Sequence, residues 1–273
     1  MAVTEPLSGP RALAMLRALW HARAVTVSLV ARDLRGRYVG SSFGLVWAIL
    51  HPLSQLAIFT FVFATVLKVR FGEDDVPFVL HVACGLFPWL AFQESLLRSA
   101  TCLVDNAVLV KRVVFPIEVL PLQLAISALV HQLIALGLLL VLMAGFGLAP
   151  RPSLLALPAV LAVQLLLTLG LAWVAATLHV YFRDTAQALG VLLPMWFYLT
   201  PIIYPYHLVP EPLRPALALN PLTTLVQAYR DLFLRGAVPL GGRELWLVAA
   251  SVGAFAIGAS AFARARGEFA DLV

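Results

Sequence analysis

Ionisable pairs are scarce in this 273-residue chain, so the few that exist carry most of the chemistry it can offer. Glu94 and Arg98 stand four residues apart, which on a helix puts them on one face as an ion pair. Charge at membrane depth is expensive and faces a cavity or a partner, so this pair reads either as a helix end reaching for the interface or as a gate. Glu118 is placed to meet Lys111 and Arg112 across the Phe115-Pro116 bend. Glu73, Asp74 and Asp75 form the one acidic cluster, which reads as a solvated turn rather than a cation site. The six histidines are scattered, with no two at i, i+3 or i, i+4, so no metal-ligand spacing exists. No Gly-x-x-x-x-Gly-Lys-Ser/Thr loop is present, and ATP use falls to another chain. Cys84 and Cys102 lie at opposite ends of one helical stretch and cannot bridge. Aromatic residues recur instead: Trp47, Phe59 and Phe63 in one apolar run, and Trp196, Phe197, Tyr198, Tyr204 and Tyr206 around another. Sugars stack their C–H faces on such rings, and interfacial belts use the same residues.

The elements that position these residues are membrane spans. Hydrophobic residues make up 62% of the chain and charged ones 12%, far from the roughly 45–50% and about 25% of a soluble domain. No formal charge falls between Arg37 and Lys68, or between Glu118 and Arg151. Six stretches are long enough to span, at about 44–67, 78–99, 118–144, 154–180, 186–204 and 245–263. Pro52 is expected to bend or unwind the first of them near Trp47 and His51. Residues 1–43 read as a cytoplasmic N-terminus that no signal peptidase removes, with an amphipathic helix over Arg11 to Tyr38. Its apolar stripe is Leu13, Leu16, Trp20, Val27, Val30 and Leu34, laid in the membrane interface or buried against a partner. Twelve Lys and Arg fall on the side of the N-terminus and seven opposite, so both termini are expected in the cytoplasm. That asymmetry also accounts for the net charge of +5 without nucleic acid. The proline-rich 205–244 is too short in its apolar part to cross, and reads as an outward re-entrant pair of short helices. The expected fold is all-α integral membrane: six spans over 44–263, an interface helix before them, a re-entrant hairpin between spans five and six, and a cytoplasmic tail at 264–273.

Four ordered patterns then carry a resemblance. Arg32-Asp33-Leu34-Arg35-Gly36-Arg37-Tyr38 runs on to Gly44-Leu45-Val46-Trp47-Ala48 and His51-Pro52-Leu53. Asn106 to Pro116 leads to Leu120-Pro121. Tyr181-Phe182-Arg183-Asp184 and Asn220-Pro221-Leu222-Thr223 follow. Together they resemble the permease subunits of polysaccharide-exporting ABC transporters, the family of O-antigen, capsule and teichoic-acid exporters. The resemblance implies a homodimer enclosing a channel in the bacterial cytoplasmic membrane, with two separate ABC ATPase subunits that bind the ATP and Mg; no cofactor is expected in this chain. It implies a coupling helix at about 101–114, with Asp105, Asn106, Lys111 and Arg112 as ATPase contacts and Arg183 and Asp184 as a smaller contact. It places Arg32, Arg35 and Arg37 at a portal for the pyrophosphate of a polyprenyl-linked glycan. Trp47, Phe59, Phe63, Trp196, Tyr198 and Tyr204 become channel lining, Glu94 and Arg98 a gating pair, and 205–244 the outward gate. The same architecture with a drug or lipid cargo is the alternative. A polyprenyl transferase would need inward acid clusters, and an ion-coupled transporter would need inverted repeats and mid-span acids; neither is found.

Overall fold

The structure, a computed structural model, describes residues 19–37, 44, 46–70, 76–112 and 116–273. The expected positions of Arg11, Leu13, Leu16 and Arg17, of Tyr38, of Glu73 to Asp75, of Val113 to Phe115, and of the Arg112 and His207 side chains lie outside the described residues. Every regular element among the described residues is helical. They are α1 (Arg23–Gly36), α2 (Val46–Phe59, continued by a π-helical turn Thr60–Val66), α3 (Phe78–Asp105), α4 (Ala107–Arg112), α5 (Val119–Gly145) and α6 (Leu157–Tyr181, after a 3-10 turn Pro152–Ala156). After these come α7 (Thr185–Tyr198), α8 (Arg214–Leu219), α9 (Pro221–Arg230, continued by a π-helical turn Asp231–Arg235), α10 (Gly242–Ala265) and α11 (Phe269–Leu272).

Four of these helices are long and apolar enough to cross a membrane: Val46–Val66, Val119–Gly145, Pro152–Tyr181 and Gly242–Ala265. Helix α3 has 28 residues, about 42 Å at 1.5 Å each. It has the length, but Gln93, Glu94, Arg98 and Asp105 make its second half polar. Helix α7 has 14 residues, about 21 Å, and stops well before the expected Tyr204. Pro201 explains the stop, because it disfavours helical backbone at Thr200 and lacks the next amide donor. The Thr200 hydroxyl then donates to the Trp196 carbonyl at 2.9 Å, closing the last turn. In α2 the helix runs through Pro52 without unwinding and departs from α geometry later, at Thr60–Val66.

Helices α6 and α10 approach each other backbone to backbone. A Cβ on Gly258 would sit 2.0 Å from the Gly170 carbonyl oxygen, and one on Gly170 would sit 2.4 Å from the Ala254 backbone. In lipid there is no hydrophobic drive between helices, so small residues such as Ala254-x-x-x-Gly258 gain by letting backbones touch. Trp173 and Phe255 flank the crossing, ring centres 5.2 Å apart.

The apolar core has two regions. One holds Leu80, Phe87, Phe92, Leu193, Phe197, Leu225, Tyr229 and Phe233, around the buried helix α9. The other holds Leu19, Leu103, Val119, Trp173, Phe262 and Phe269. They lie toward opposite ends. Ser153, before α6, donates to the Leu232 carbonyl at 2.7 Å, while Glu118, at the other end of α5 and before its first turn, accepts from Arg266 past the end of α10 at 3.0 Å. Glu118 therefore meets Arg266; of the partners expected for it, the Arg112 side chain lies outside the described residues, and Lys111 is exposed.

The heptad-like set Leu19, Ala22, Thr26, Leu29 and Asp33 faces the protein in α1 and the residues before it, with Leu19, Ala22 and Thr26 buried. The expected interface stripe lies about 100° further around the axis, turned away from the protein. Trp20 and Val27 keep 70% and 68% of their surface exposed, and the Arg23 guanidinium lies over the Trp20 ring at 5.4 Å. The segment thus has a protein face, a second apolar face, and a third on which Arg32 and Arg35 are exposed.

Candidate functional site

Glu94 and Arg98 do pair, at 3.3 Å, but as half of a closed ring of four charges. Arg98 also donates to both carboxylate oxygens of Asp33, one of them at 3.1 Å. Arg37 bonds Asp33 at 3.2 Å and forms an ion pair with Glu94. Asp33, Arg37, Glu94 and Arg98 alternate in sign and sum to zero, and they tie α1 to α3. Each side chain is partly exposed, so a single pair contributes no more than about 1 kcal/mol. The closed arrangement nevertheless holds every charge against two of opposite sign.

Cavities flank this ring on both sides. One of about 450 Å³ is lined by Arg32, Asp33, Arg37, Arg98, Thr101, Asp105 and Asn106. The other, about 220 Å³, is lined by Arg37, Glu94, Trp47, His51, His131 and Gln132. Arg37 faces both. Of the three expected portal arginines, Arg32 borders the larger cavity, Arg35 is exposed, and Arg37 belongs to the ring.

The aromatic residues divide in the same way. Phe59 and Tyr198 line a groove of about 270 Å³ between α2, α3 and α7, together with Gln55, Trp89, Gln93 and Phe197. Phe59 stacks on Phe197 at 5.4 Å, and Trp89 meets Phe197 edge-on at 5.5 Å. Trp47 lines the smaller cavity beside the ion-pair ring. Phe63 is half-buried against the core, and the Tyr204 hydroxyl donates to the Tyr198 carbonyl at 2.7 Å. Trp196 turns inward: its ring meets Phe92 edge-on at 5.4 Å and its indole N–H donates to Asn220 at 3.1 Å.

That asparagine gives the Asn220-Pro221-Leu222-Thr223 pattern its physical content. Its Oδ1 accepts the Leu222 amide at 3.1 Å as the N-cap of α9, a preferred capping role with proline at the first helical position. The same oxygen takes the Trp196 indole, and Nδ2 donates to the Thr200 hydroxyl at 2.9 Å. Asn220 thus joins the end of α7 to the start of α9.

At the far end of α9, Tyr229 is fully buried in a network with two glutamines. Gln132 of α5 donates to the Tyr229 hydroxyl at 2.7 Å, and that hydroxyl donates to Gln164 of α6 at 2.6 Å. The two amides also bond each other, at 2.7 and 3.1 Å. Gln132 also lines the cavity beside the ion-pair ring, so this network borders it. Neither glutamine was among the residues expected to carry function. Two glutamines inside otherwise apolar runs were the available signal, since an unpaired amide in hydrocarbon costs several kcal/mol.

At the opposite end from Ser153 lies the expected coupling segment. Residues Thr101 to Asp105 are the last turn of α3, and the short helix α4 begins only at Ala107. Asn106 breaks the two apart, its Nδ2 donating to the Cys102 carbonyl at 2.8 Å. Cys102 itself is buried. Asp105, Lys111, Arg183 and Asp184 are all exposed. So are two apolar residues of the same two patterns that were not named as contacts, Val108 at 65% and Phe182 at 66%. Among the described residues no group of His, Cys, Asp or Glu is arranged to hold a metal ion.

Residues 25–234 match the model of the ABC-2 type transporter family. An O-antigen export system permease protein of Myxococcus xanthus is 32% identical over 261 residues, covering 95% of this chain and 99% of that protein. Its Klebsiella pneumoniae namesake is 30% identical, covering 78% of this chain and 81% of that protein. A polysialic acid transport protein of Escherichia coli is 24% identical, covering 83% and 88%. With long apolar helices and a family match over most of its length, the chain is a multi-pass membrane protein that belongs to the ABC-2 type transporter family.

Proposed function

We propose that this chain is the membrane subunit of an ATP-driven exporter, moving a polyprenyl-linked polysaccharide across the bacterial cytoplasmic membrane. The observation that carries the cargo is the likeness, along nearly the whole chain, to permeases named for O-antigen export. Helices α3 and α7 supply the two spans beyond the four apolar ones, and both termini are cytoplasmic. Two copies pair through α2 and α7. Helix α2 is the least buried of the long apolar helices, and Trp47, Ile58, Phe61, Met195 and Tyr198 leave an apolar face uncovered in the single chain. The ring-lined groove of Phe59, Trp89, Phe197 and Tyr198 opens beside that face, where stacking lets a glycan slide without tight binding.

On the cytoplasmic side, the α4 loop and the Phe182 to Asp184 turn receive two separate ABC ATPase subunits, which hold the ATP and Mg. Val108 and Phe182 serve as apolar knobs among the charged contacts Asp105, Asn106, Lys111, Arg112, Arg183 and Asp184. Arg32 and Arg35 attract the pyrophosphate of the lipid-linked glycan at the membrane surface. The Asp33–Arg37–Glu94–Arg98 ring closes the passage from the larger cavity to the smaller until the ATPases move α3. Helices α8 and α9 form the outward gate, held at Asn220 and Tyr229.

The test is the ATP hydrolysis rate of this chain reconstituted in lipid with its cognate ABC ATPase, with and without extracted polyprenyl-linked glycan. The proposal predicts a stable complex whose rate responds to the glycan. A complex indifferent to glycan and responsive to small amphiphiles would overturn the cargo assignment.

A further inference from the structure

The residues after α10 make contacts that the proposed transport cycle has not used. Beyond Ala265 the chain turns back, with the Glu268 amide bonding the Ala265 carbonyl at 2.9 Å, and forms α11. Phe269 is fully buried and meets Phe262 edge-on at 5.1 Å. Val110 of α4, Ile117 and Val273 pack on the same cluster, and α11 touches α4 directly. Two polar struts complete the bracket. Arg266 donates to the buried Glu118 carboxylate at 3.0 Å, before the first turn of α5. The Tyr181 hydroxyl at the end of α6 donates to Glu268 at 2.6 Å. One short segment therefore joins α4, α5, α6 and α10.

We infer that Arg266 to Val273 is the backing of α4, a set of positioning residues that fixes the ATPase-facing helix so that nucleotide-driven movement reaches the spans. This rests on reading α4 as the coupling element. Helix α4 has six residues, too few to hold helical form alone, and its outward residues Val108 and Lys111 are exposed. Its backing is the surface that Val110 shares with Phe269 and Val273. A lever this short transmits force only if it is held from behind; unbacked, it yields locally while α3 and α5 stay still.

The test uses the permease with its ATPase in lipid and two readouts: amide hydrogen exchange across Ala107–Arg112, and glycan exported per ATP hydrolysed. Phe269→Ala is expected to speed exchange in α4 about ten-fold or more and lower export per ATP about five-fold or more. The ATPase stays bound, and Phe269→Leu restores both readouts. Tyr181→Phe, which removes one exposed strut without touching the core, shifts both in the same direction by less and covers the case in which Phe269→Ala does not fold. Unchanged exchange in α4 overturns the inference. Faster exchange with unchanged export per ATP also overturns it. A Lys111→Glu control on the exposed face of α4 then separates the two failures: if it too leaves export per ATP unchanged, the fault lies in reading α4 as the coupling element.

Discussion

Replacing Gly258 by alanine puts one methyl group where α6 and α10 touch. Its Cβ would lie 2.0 Å from the Gly170 carbonyl oxygen and 2.9 Å from the Gly170 Cα, whereas ordinary contact begins at 3.4 Å. The helices must therefore separate by about 1.4 Å at the crossing, because the atoms met are backbone and cannot rotate away. Overpacking of this kind costs about 1–3 kcal/mol, and a backbone obstacle puts Gly258 toward the upper end. The gain in helix propensity from glycine to alanine offsets about 0.5–1 kcal/mol. Gly253, on the same helix, supplies the control, since a Cβ there meets nothing within 4 Å; Gly253→Ala keeps the propensity gain alone. At about 2–4 °C per kcal/mol for a chain of this size, thermal unfolding in lipid nanodiscs should fall by several degrees for Gly258→Ala. For Gly253→Ala it should hold or rise. Fluorescence of the buried Trp173 beside the crossing reports the transition. Shifts of the same sign and size in both variants would refute the close-contact argument.

Three further outcomes follow from the polar contacts. Tyr229→Phe removes two hydrogen bonds but leaves Gln132 and Gln164 bonded to each other, so it should cost about 1–2 kcal/mol, read as a lower Tm together with faster hydrogen exchange in α9. Asn220→Ala loses the cap of α9 and the Trp196 indole's partner, expected to cost about 1–2 kcal/mol and to shift tryptophan emission. In a double-mutant cycle, Asp33→Asn and Arg98→Gln should show a coupling of about 0.5–1 kcal/mol, with trypsin cutting at Arg32 and Arg35 faster in either single variant. Additive effects would show that the ring does not act as a unit.

What the sequence made legible was whatever a single helix settles by itself. Apolar runs marked the long helices, and four-residue spacing marked Glu94 with Arg98. The other half of the ring was hidden because Asp33 and Arg37 meet α3 only through tertiary packing. Trp20 and Val27 mark the apolar face turned away from the protein, whereas the face of Leu19, Ala22 and Thr26 that packs against it was not legible, because hydrophobicity cannot distinguish a surface meant for lipid from one meant for protein. The tight α6–α10 crossing had a sequence signal in Ala254-x-x-x-Gly258, but its partner Gly170 had none. Proline gave mixed guidance: Pro201 ended α7 early, whereas Pro52 left α2 wound and the distortion came at Thr60–Val66. Asn220 was visible within its pattern, yet its bonds to Trp196 and Thr200 require the end of α7 to lie beside it.

The proposed activity is ATP-driven passage of a lipid-linked glycan across a membrane by this chain with its ATPase. The most direct measurement is the appearance of polyprenyl-linked glycan on the far face of reconstituted vesicles, detected by an enzyme that cannot cross and that labels the exposed sugar. Labelling is expected to need ATP, the ATPase and this chain together, and to be suppressed by Asp105→Arg. Labelling without the ATPase, or none while small amphiphiles are moved, would contradict it.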